Sequence, residues 1–516
     1  MAGAPPQMVS KRLILCCDGT WMNSDNGYEE PGWFESKGTL QVPSNVTRIS
    51  RCFKRRCSDG KLQVISYESG VGTGSNGVDS LMGGAFGLGL SERVRETYSY
   101  LCSNYMDGDE IVLIGYSRGA FTARSVAGMV GNIGLLTREG VEFFYCIFKD
   151  MQNWQNPDYK DPFPDQPFSK KPKGPHAAAE YRARLEEMGF TRVKQANGDL
   201  IKIKAIGVWD TVGSLGIPDV SWLSKLDGNA NLPSTYMWHD TSLSDRIENA
   251  FQALALDETR PPFSPAVWER PGKDQQTNLK QVWFPGNHAN VGGGWEDQGA
   301  ANCTLAWMMD QLASVGVEFD ENSIDRYFKQ TSLYYQTLGA REQSDRAKAG
   351  LKWAVDPIYD TNSPLRPWGL GQICKKVSLL YWFSGQITRS PGLYHEHDPE
   401  TEERKARFLQ DTNERIHSSV RIRLACKGLD LNDKAVWACP ALGKWRLKQG
   451  KPDSNAVSKQ TQWVWEFSGG EKEANPDKNQ RVMREEPLGP YEQRLLELAA
   501  GKPNVWEFAE KNAGIQ

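Results

Sequence analysis

The chain has 516 residues, 39% hydrophobic and 24% charged, with a formal net charge of −3. That length suits one large domain with insertions or two to three ordinary ones, and the apolar share is enough for a sizeable core. The near-neutral charge gives no electrostatic reason to expect nucleic acid as a partner, and no apolar run nears the roughly 18 residues of a membrane span. Ten cysteines lie without CxxC spacing. They read as reduced thiols of a cytoplasmic protein, neither a disulfide framework nor a metal site.

In chain order, the opening "MAGAPPQMVSKRLILCCDGTW" lacks a signal peptide's long apolar region and reads as a first strand, Leu13–Cys17, running into Asp18-Gly19-Thr20. Further strands are expected at Leu62–Tyr67, Glu110–Ile114, Leu200–Trp209 and Lys280–Phe284. Between them, helical patterns cover Ser91–Asn104, Arg118–Gly131, Ala177–Met188, Ser242–Leu256 and Ala300–Val315. Alternating strands and helices predict an α/β fold with a mostly parallel sheet flanked by helices. Pro157 to Pro175 carries six prolines and marks a surface insertion at about 152–176. After about residue 320 the alternation fades, which divides the chain into a catalytic domain, 10–320, and a C-terminal accessory region, 321–516. The latter holds Trp437, Trp445, Trp463, Trp465 and Trp506, and its tracts "KAVWAC", "KWRLK" and "QWVWEF" read as strands.

The stretch "EIVLIGYSRGAFTARSVAGMV" sets Gly115-x-Ser117-x-Gly119 between a strand and a helix, the pattern of a nucleophile elbow. Such a turn projects the serine hydroxyl above the carboxyl edge of the sheet. It also puts the next amide, Arg118, at a helix N-terminus where an oxyanion is stabilised. A serine needs a base oriented by a carboxylate. Of the six histidines, His288 in "LKQVWFPGNHANVGGG" stands just past a strand end. His176 follows the proline-rich insertion, His239 lies in a polar loop, and His395 and His397 in "YHEHD" read as solvated surface. For the acid, Asp210 ends the strand of "IKIKAIGVWDTVGSLG". Its competitor Asp257, in "ALALDETR", is expected at a helix end, pairing with Arg260 or capping a loop. A second oxyanion donor is expected from Gly19 or Thr20, with Asp18 as a brace for that loop.

"GVGTGSNG" contains Gly72-x-Gly74-x-x-Gly77, which by itself resembles a dinucleotide fingerprint. The glycines that follow delay any helix to about Ser91, so the better reading is an apolar glycine-rich loop near the serine. Its Leu81, Met82, Phe86 and Leu88 are candidates to line an acyl pocket.

With these residues in place, the chain resembles the α/β-hydrolase domain family, long of unknown function, that includes the first class of phospholipase effectors of bacterial type VI secretion. The matching segments are "LCCDGTW", "YESGVGTG", "GYSRGAFTARSVAGMV", "GVWDTVGSLG", "ALALDETR" and "WFPGNHANVGGG", in the family's order over roughly residues 12 to 310. The chain looks like a stand-alone, fungal-type member. The resemblance implies a Ser–Asp–His hydrolase, some of whose relatives cleave phospholipids, with the triad at Ser117, Asp210 and His288. Two positions depart from the pattern. Asn290 stands where the family often has an aspartate after the histidine, and Met22 displaces Asn23 by one in the first loop.

The expectation is therefore a serine esterase acting on a lipid or small-molecule ester, without metal or organic cofactor, with peripheral membrane contact left open. An esterase or thioesterase for soluble substrates is the nearest alternative. A non-catalytic binding module on a hydrolase scaffold is the alternative of another class.

Overall fold

The computed structural model describes residues 10–19, 28–29, 39–70, 84–212, 243–270, 272, 276–334, 368–374, 386–397, 404–426, 437–450, 463–499 and 505–512. Ten strands among these form one sheet. In chain order they are β1 (Lys11–Cys17), β2 (Leu62–Glu68), β3 (Glu110–Tyr116), β4 (Ile203–Trp209), β5 (Asn249–Ala255), β6 (Asn278–Phe284), β7 (Glu414–His417), β8 (Trp445–Gln449), β9 (Trp463–Phe467) and β10 (Val482–Glu486). Their spatial order is β8-β9-β10-β7-β6-β5-β4-β3-β1-β2. Neighbours from β2 through β7 to β10 run parallel, whereas β8, β9 and β10 pair antiparallel. The α/β fold with a mostly parallel sheet is thus the architecture observed.

The central parallel strands β1, β3, β4, β5 and β6 are buried along most of their length, with successive side chains pointing to opposite sides. Ile14, Cys16, Val112 and Ile114 enter one core with helices α1 (Asn45–Ser50), α7 (Gly299–Ala313) and α9 (Pro490–Ala499). Leu13, Leu15, Ile111 and Leu113 enter the other with α2 (Gly84–Asn104), α3 (Arg118–Ile133), α4 (Phe144–Asn153) and α5 (Ala177–Glu187). Two short helices complete the set used below, α6 (His288–Gly292) and α8 (Ser418–Ala425).

Several local expectations are corrected. The helix expected over Ser242–Leu256 is instead β5, with an irregular approach from residue 243. Its "NAFQALA" is rich in good helix formers, but the segment lies inside the parallel sheet, and pairing on both edges overrides local propensity. The helix expected from Ser91 begins at Gly84, so the last glycines of the tract are its first turns. The fourth strand starts at Ile203, after Leu200 makes only an isolated bridge to Lys194. Trp437–Cys439 of "KAVWAC" is not a strand, while "KWRLK" and "QWVWEF" are. His395 is not solvated: it is buried on a short ribbon, packs on Phe408 and donates Nδ1–H to the Lys405 carbonyl.

The C-terminal strands extend the same sheet. Trp445 and Trp465 are buried with Leu254 and Trp283 of the preceding strands and with Ile416 and Met483. Among the described residues, no helix is long and apolar enough to cross a membrane.

Candidate active site

Strand order reverses at β1, which has β2 on one side and β3 on the other. A crevice opens beyond the carboxyl ends of parallel strands at such a switch point. Ser117 is the single residue between β3 and α3, with φ 57° and ψ −122°. Positive φ in a residue with a side chain costs on the order of 1–3 kcal/mol, so the surroundings must impose it. The Ser117 N–H donates to the Trp209 carbonyl at 3.1 Å, continuing the sheet, and its own carbonyl accepts from the Phe121 N–H at 3.2 Å, starting the helix. The flanking glycines are required by contact. A Cβ at Gly115 would lie 2.5 Å from the Gly119 carbonyl oxygen, and one at Gly119 only 2.1 Å from that of Cys17.

Asp210 follows β4, also at positive φ, and is fully buried. His288 opens α6, where Asn287 and Asn290 form a reciprocal cap. The His288 ring is held between Tyr116, with centroids 4.7 Å apart, and the edge of Phe263, at 4.8 Å. Its Nδ1 lies 2.7 Å from Asp210 Oδ2. Burial pushes the Asp210 carboxyl up, but the Arg389 guanidinium and the His288 hydrogen bond outweigh it and hold it well below the usual carboxylate range. An ionised carboxylate only accepts, so the shared proton sits on Nδ1, and Nε2 is the bare nitrogen of the neutral ring.

Asp257 has a different task. It follows β5, not a helix as expected, accepts from the Gly286 N–H at 2.6 Å and from Trp437 Nε1 at 3.1 Å, and so braces the loop before His288. Arg260 pairs with Glu258 at 2.8 Å. Glu258, which the sequence did not single out, is buried and accepts the His288 N–H at 3.2 Å. Only its place in "LDETR" beside Asp257 hinted at it.

On the β1 side, a Cβ at Gly19 would meet Tyr116 Cδ1 at 2.8 Å and Ser117 Cβ at 3.4 Å, so this loop passes directly over the serine turn. Asp18 braces it, accepting from the Ser44 and Thr47 hydroxyls at 2.7 Å, Tyr67 at 2.6 Å and the Gly19 N–H at 2.7 Å. Burial pushes the Asp18 carboxyl up, and these four donors oppose it. Arg118 is the first residue of α3, at the positive end of that helix. Thr20, Leu81, Met82 and His239 lie outside the described residues. Phe86 and Leu88 fall within α2, and His176 is exposed before α5.

Asn290 proves to be fully buried. Its amide donates to the Gln372 carbonyl at 2.8 Å, and its oxygen accepts from the Cys374 N–H at 2.9 Å and the Asn287 N–H at 3.1 Å. An aspartate could keep the accepted bonds but not the donated one, which accounts for the amide at this position.

The mostly parallel sheet flanked by helices makes this an α/β protein, with its candidate site at the carboxyl edge of the strands. The chain belongs to the family described as "T6SS, Phospholipase effector Tle1-like, catalytic domain", whose model matches residues 11–311. An uncharacterized protein of Saccharomyces cerevisiae is 22% identical over 443 residues, covering 63% of this chain and 60% of that protein. The chain thus spans less than two thirds of that relative. A crystal structure of an uncharacterized Pseudomonas aeruginosa protein is similar over 61% of this chain and 47% of its own, at 14% identity and TM-score 0.31. The Tle1 effector bound to the VgrG spike of the type 6 secretion system is similar over 57% and 52%, at 17% identity and TM-score 0.28. At such scores the overlap in space is partial, and the family assignment rests on the sequence match.

Asn290→Asp should destabilise the chain by about 1–3 kcal/mol, the cost of leaving a buried carbonyl without its donor. A urea midpoint equal to that of the wild type would contradict this.

Proposed function

We propose that this chain is a serine hydrolase of carboxylic esters that works through an acyl-enzyme, with lipid-like acyl esters as substrates. The observation that carries the reading is the buried 2.7 Å contact between His288 and Asp210, together with a serine held at positive φ on a strand-to-helix turn whose amide bonds to the residue before Asp210. A scaffold alone has no use for a strained serine and a dry imidazole–carboxylate pair at the same sheet edge. Family membership supports the reaction class.

Ser117 Oγ attacks the ester carbonyl while His288 Nε2 takes its proton. The proton then passes to the departing alcohol, and water, activated by the same nitrogen, releases the acid and restores the serine. Asp210 keeps the imidazole in the required tautomer and supports its charged form. The Arg118 amide supplies one oxyanion donor. The second donor is proposed from the loop of Gly19 and Thr20, where the Gly19 N–H itself bonds to Asp18 Oδ1 at 2.7 Å. No step calls for a metal or an organic cofactor.

Ser117→Ala should lower turnover by roughly 10³-fold or more, with His288→Ala costing nearly as much and adding little in the double variant. Equal labelling of wild type and Ser117→Ala by a serine-directed phosphonate would remove Ser117 from the reaction.

The two aspartates separate by role. Asp210→Asn should cost about 10⁴-fold in turnover, as the wrong tautomer does in a serine protease. Asp257→Asn should act mainly on stability. Turnover and melting temperature measured on both variants would expose the reverse ranking.

Substrate preference tests the lipid assignment. An apolar acyl site contributes about 0.8 kcal/mol per buried CH₂, so two methylenes should raise kcat/KM roughly tenfold while room remains. Efficiency is expected to climb from acetyl to hexanoyl esters, and substitution of Phe86 or Leu88 by a small or polar residue should flatten the climb. A preference for acetyl esters, untouched by those substitutions, would favour a small soluble ester.

A further inference from the structure

Arg389 lies 179 positions after Asp210, beyond the segment that matches the family, yet it pairs with both oxygens of the carboxylate. Its Nη1 donates to Oδ1 at 2.7 Å and its Nη2 to Oδ2 at 3.0 Å, and Nη2 also donates to the Phe263 carbonyl at 2.7 Å. Side-chain exposure is 1% for Arg389 and 0% for Asp210. Desolvating two ions so completely generally cancels much of their attraction, so such a pair is poorly explained as a source of stability. What it does control is direction.

A carboxylate has about four acceptor positions. Here Oδ1 takes the Ala255 N–H at 3.0 Å and Nη1, while Oδ2 takes His288 Nδ1 and Nη2. Each oxygen has one bond from the guanidinium and one from elsewhere. The planar fork fixes the carboxylate plane, and the carbonyl of Phe263, whose ring packs against the imidazole, fixes the fork. A lysine could supply the charge but not two parallel bonds.

We propose that Arg389 is a positioning residue of the hydrolytic site, locking the Asp210 carboxylate in the plane that presents Oδ2 to His288 Nδ1. The proposal rests on the Ser117–His288–Asp210 reading above. It also places part of the catalytic apparatus in the C-terminal third.

Among the described residues, the charged and titratable groups around Asp210 and Arg389 are His288, Tyr116, Tyr394 and Glu258 with its partner Arg260. Burial pushes the Asp210 carboxyl up, and Arg389 is the first of the influences that pull it down. Without the guanidinium the burial remains, so the carboxyl titrates at higher pH. Activity that needs the carboxylate then fails earlier as pH falls.

The test is ester hydrolysis by the full chain as a function of pH, for wild type, Arg389→Met, Arg389→Lys and Ser117→Ala, with folding followed by near-ultraviolet circular dichroism. Arg389→Met should lose roughly 10²-fold in kcat, the size expected when a reacting group is slightly misplaced. KM should change little, and the acid limb of kcat/KM should move to higher pH. Arg389→Lys should fall between, with its acid limb nearer that of the wild type. Wild-type kcat and acid limb in folded Arg389→Met overturn the proposal. So does a loss that only tracks the folded fraction while the limb stays in place. Should the methionine variant not fold, wild-type kcat in Arg389→Lys overturns it. Full activity in the Arg389 variants beside an inactive Ser117→Ala refutes the role of Arg389 alone; an active Ser117→Ala refutes the parent reading and this one with it.

Discussion

Asp210 is a charge without access to water, and a buried carboxylate is tolerated only when its oxygens are matched. Its partners come from three separate parts of the chain: the β5 backbone at Ala255, the head of α6 at His288, and the loop of Arg389. Satisfying one side chain therefore fixes the relative placement of the strand ends and loops around the candidate site. The serine turn is set by the same strands, because the Ser117 amide bonds to the carbonyl of Trp209, the residue before Asp210. Strain at Ser117 and desolvation at Asp210 are thus borne by one small region of the sheet edge.

Much of this was legible in the sequence because the signals are local. Gly115 and Gly119 bracket Ser117 for a steric reason that leaves a spacing behind, and strand runs such as "EIVLI" declare burial on both faces. His288 and Asp210 could be placed because each stands just past a strand. "NAFQALA" misled because alanine, leucine and glutamine favour helix when nothing else is known, and only its sheet neighbours decide otherwise. Glu258 and Arg389 left no pattern, since a long-range ion pair or a side-chain bond to a backbone amide has no period and no spacing.

The C-terminal third is where local reading gave least. Its tryptophans read as an accessory region, but Trp445 and Trp465 pack with Leu254 and Trp283, and Trp437 holds Asp257. Gln372 and Cys374 offer their backbone to Asn290, a residue two positions from His288. The wall behind the imidazole is accordingly built from both halves of the chain. The amide at 290 is suited to that wall, because it must donate to one peptide group and accept from another.

The long separation between Asp210 and Arg389 also has a consequence in time. Translation proceeds at about 5–20 residues per second, so the guanidinium is made roughly 10–35 s after the carboxylate it neutralises. During that interval the nascent sheet edge carries a carboxylate whose counter-ion does not yet exist, and it must stay hydrated or take up a proton. Closure of this edge around Asp210 can therefore be completed only after Arg389 has been made.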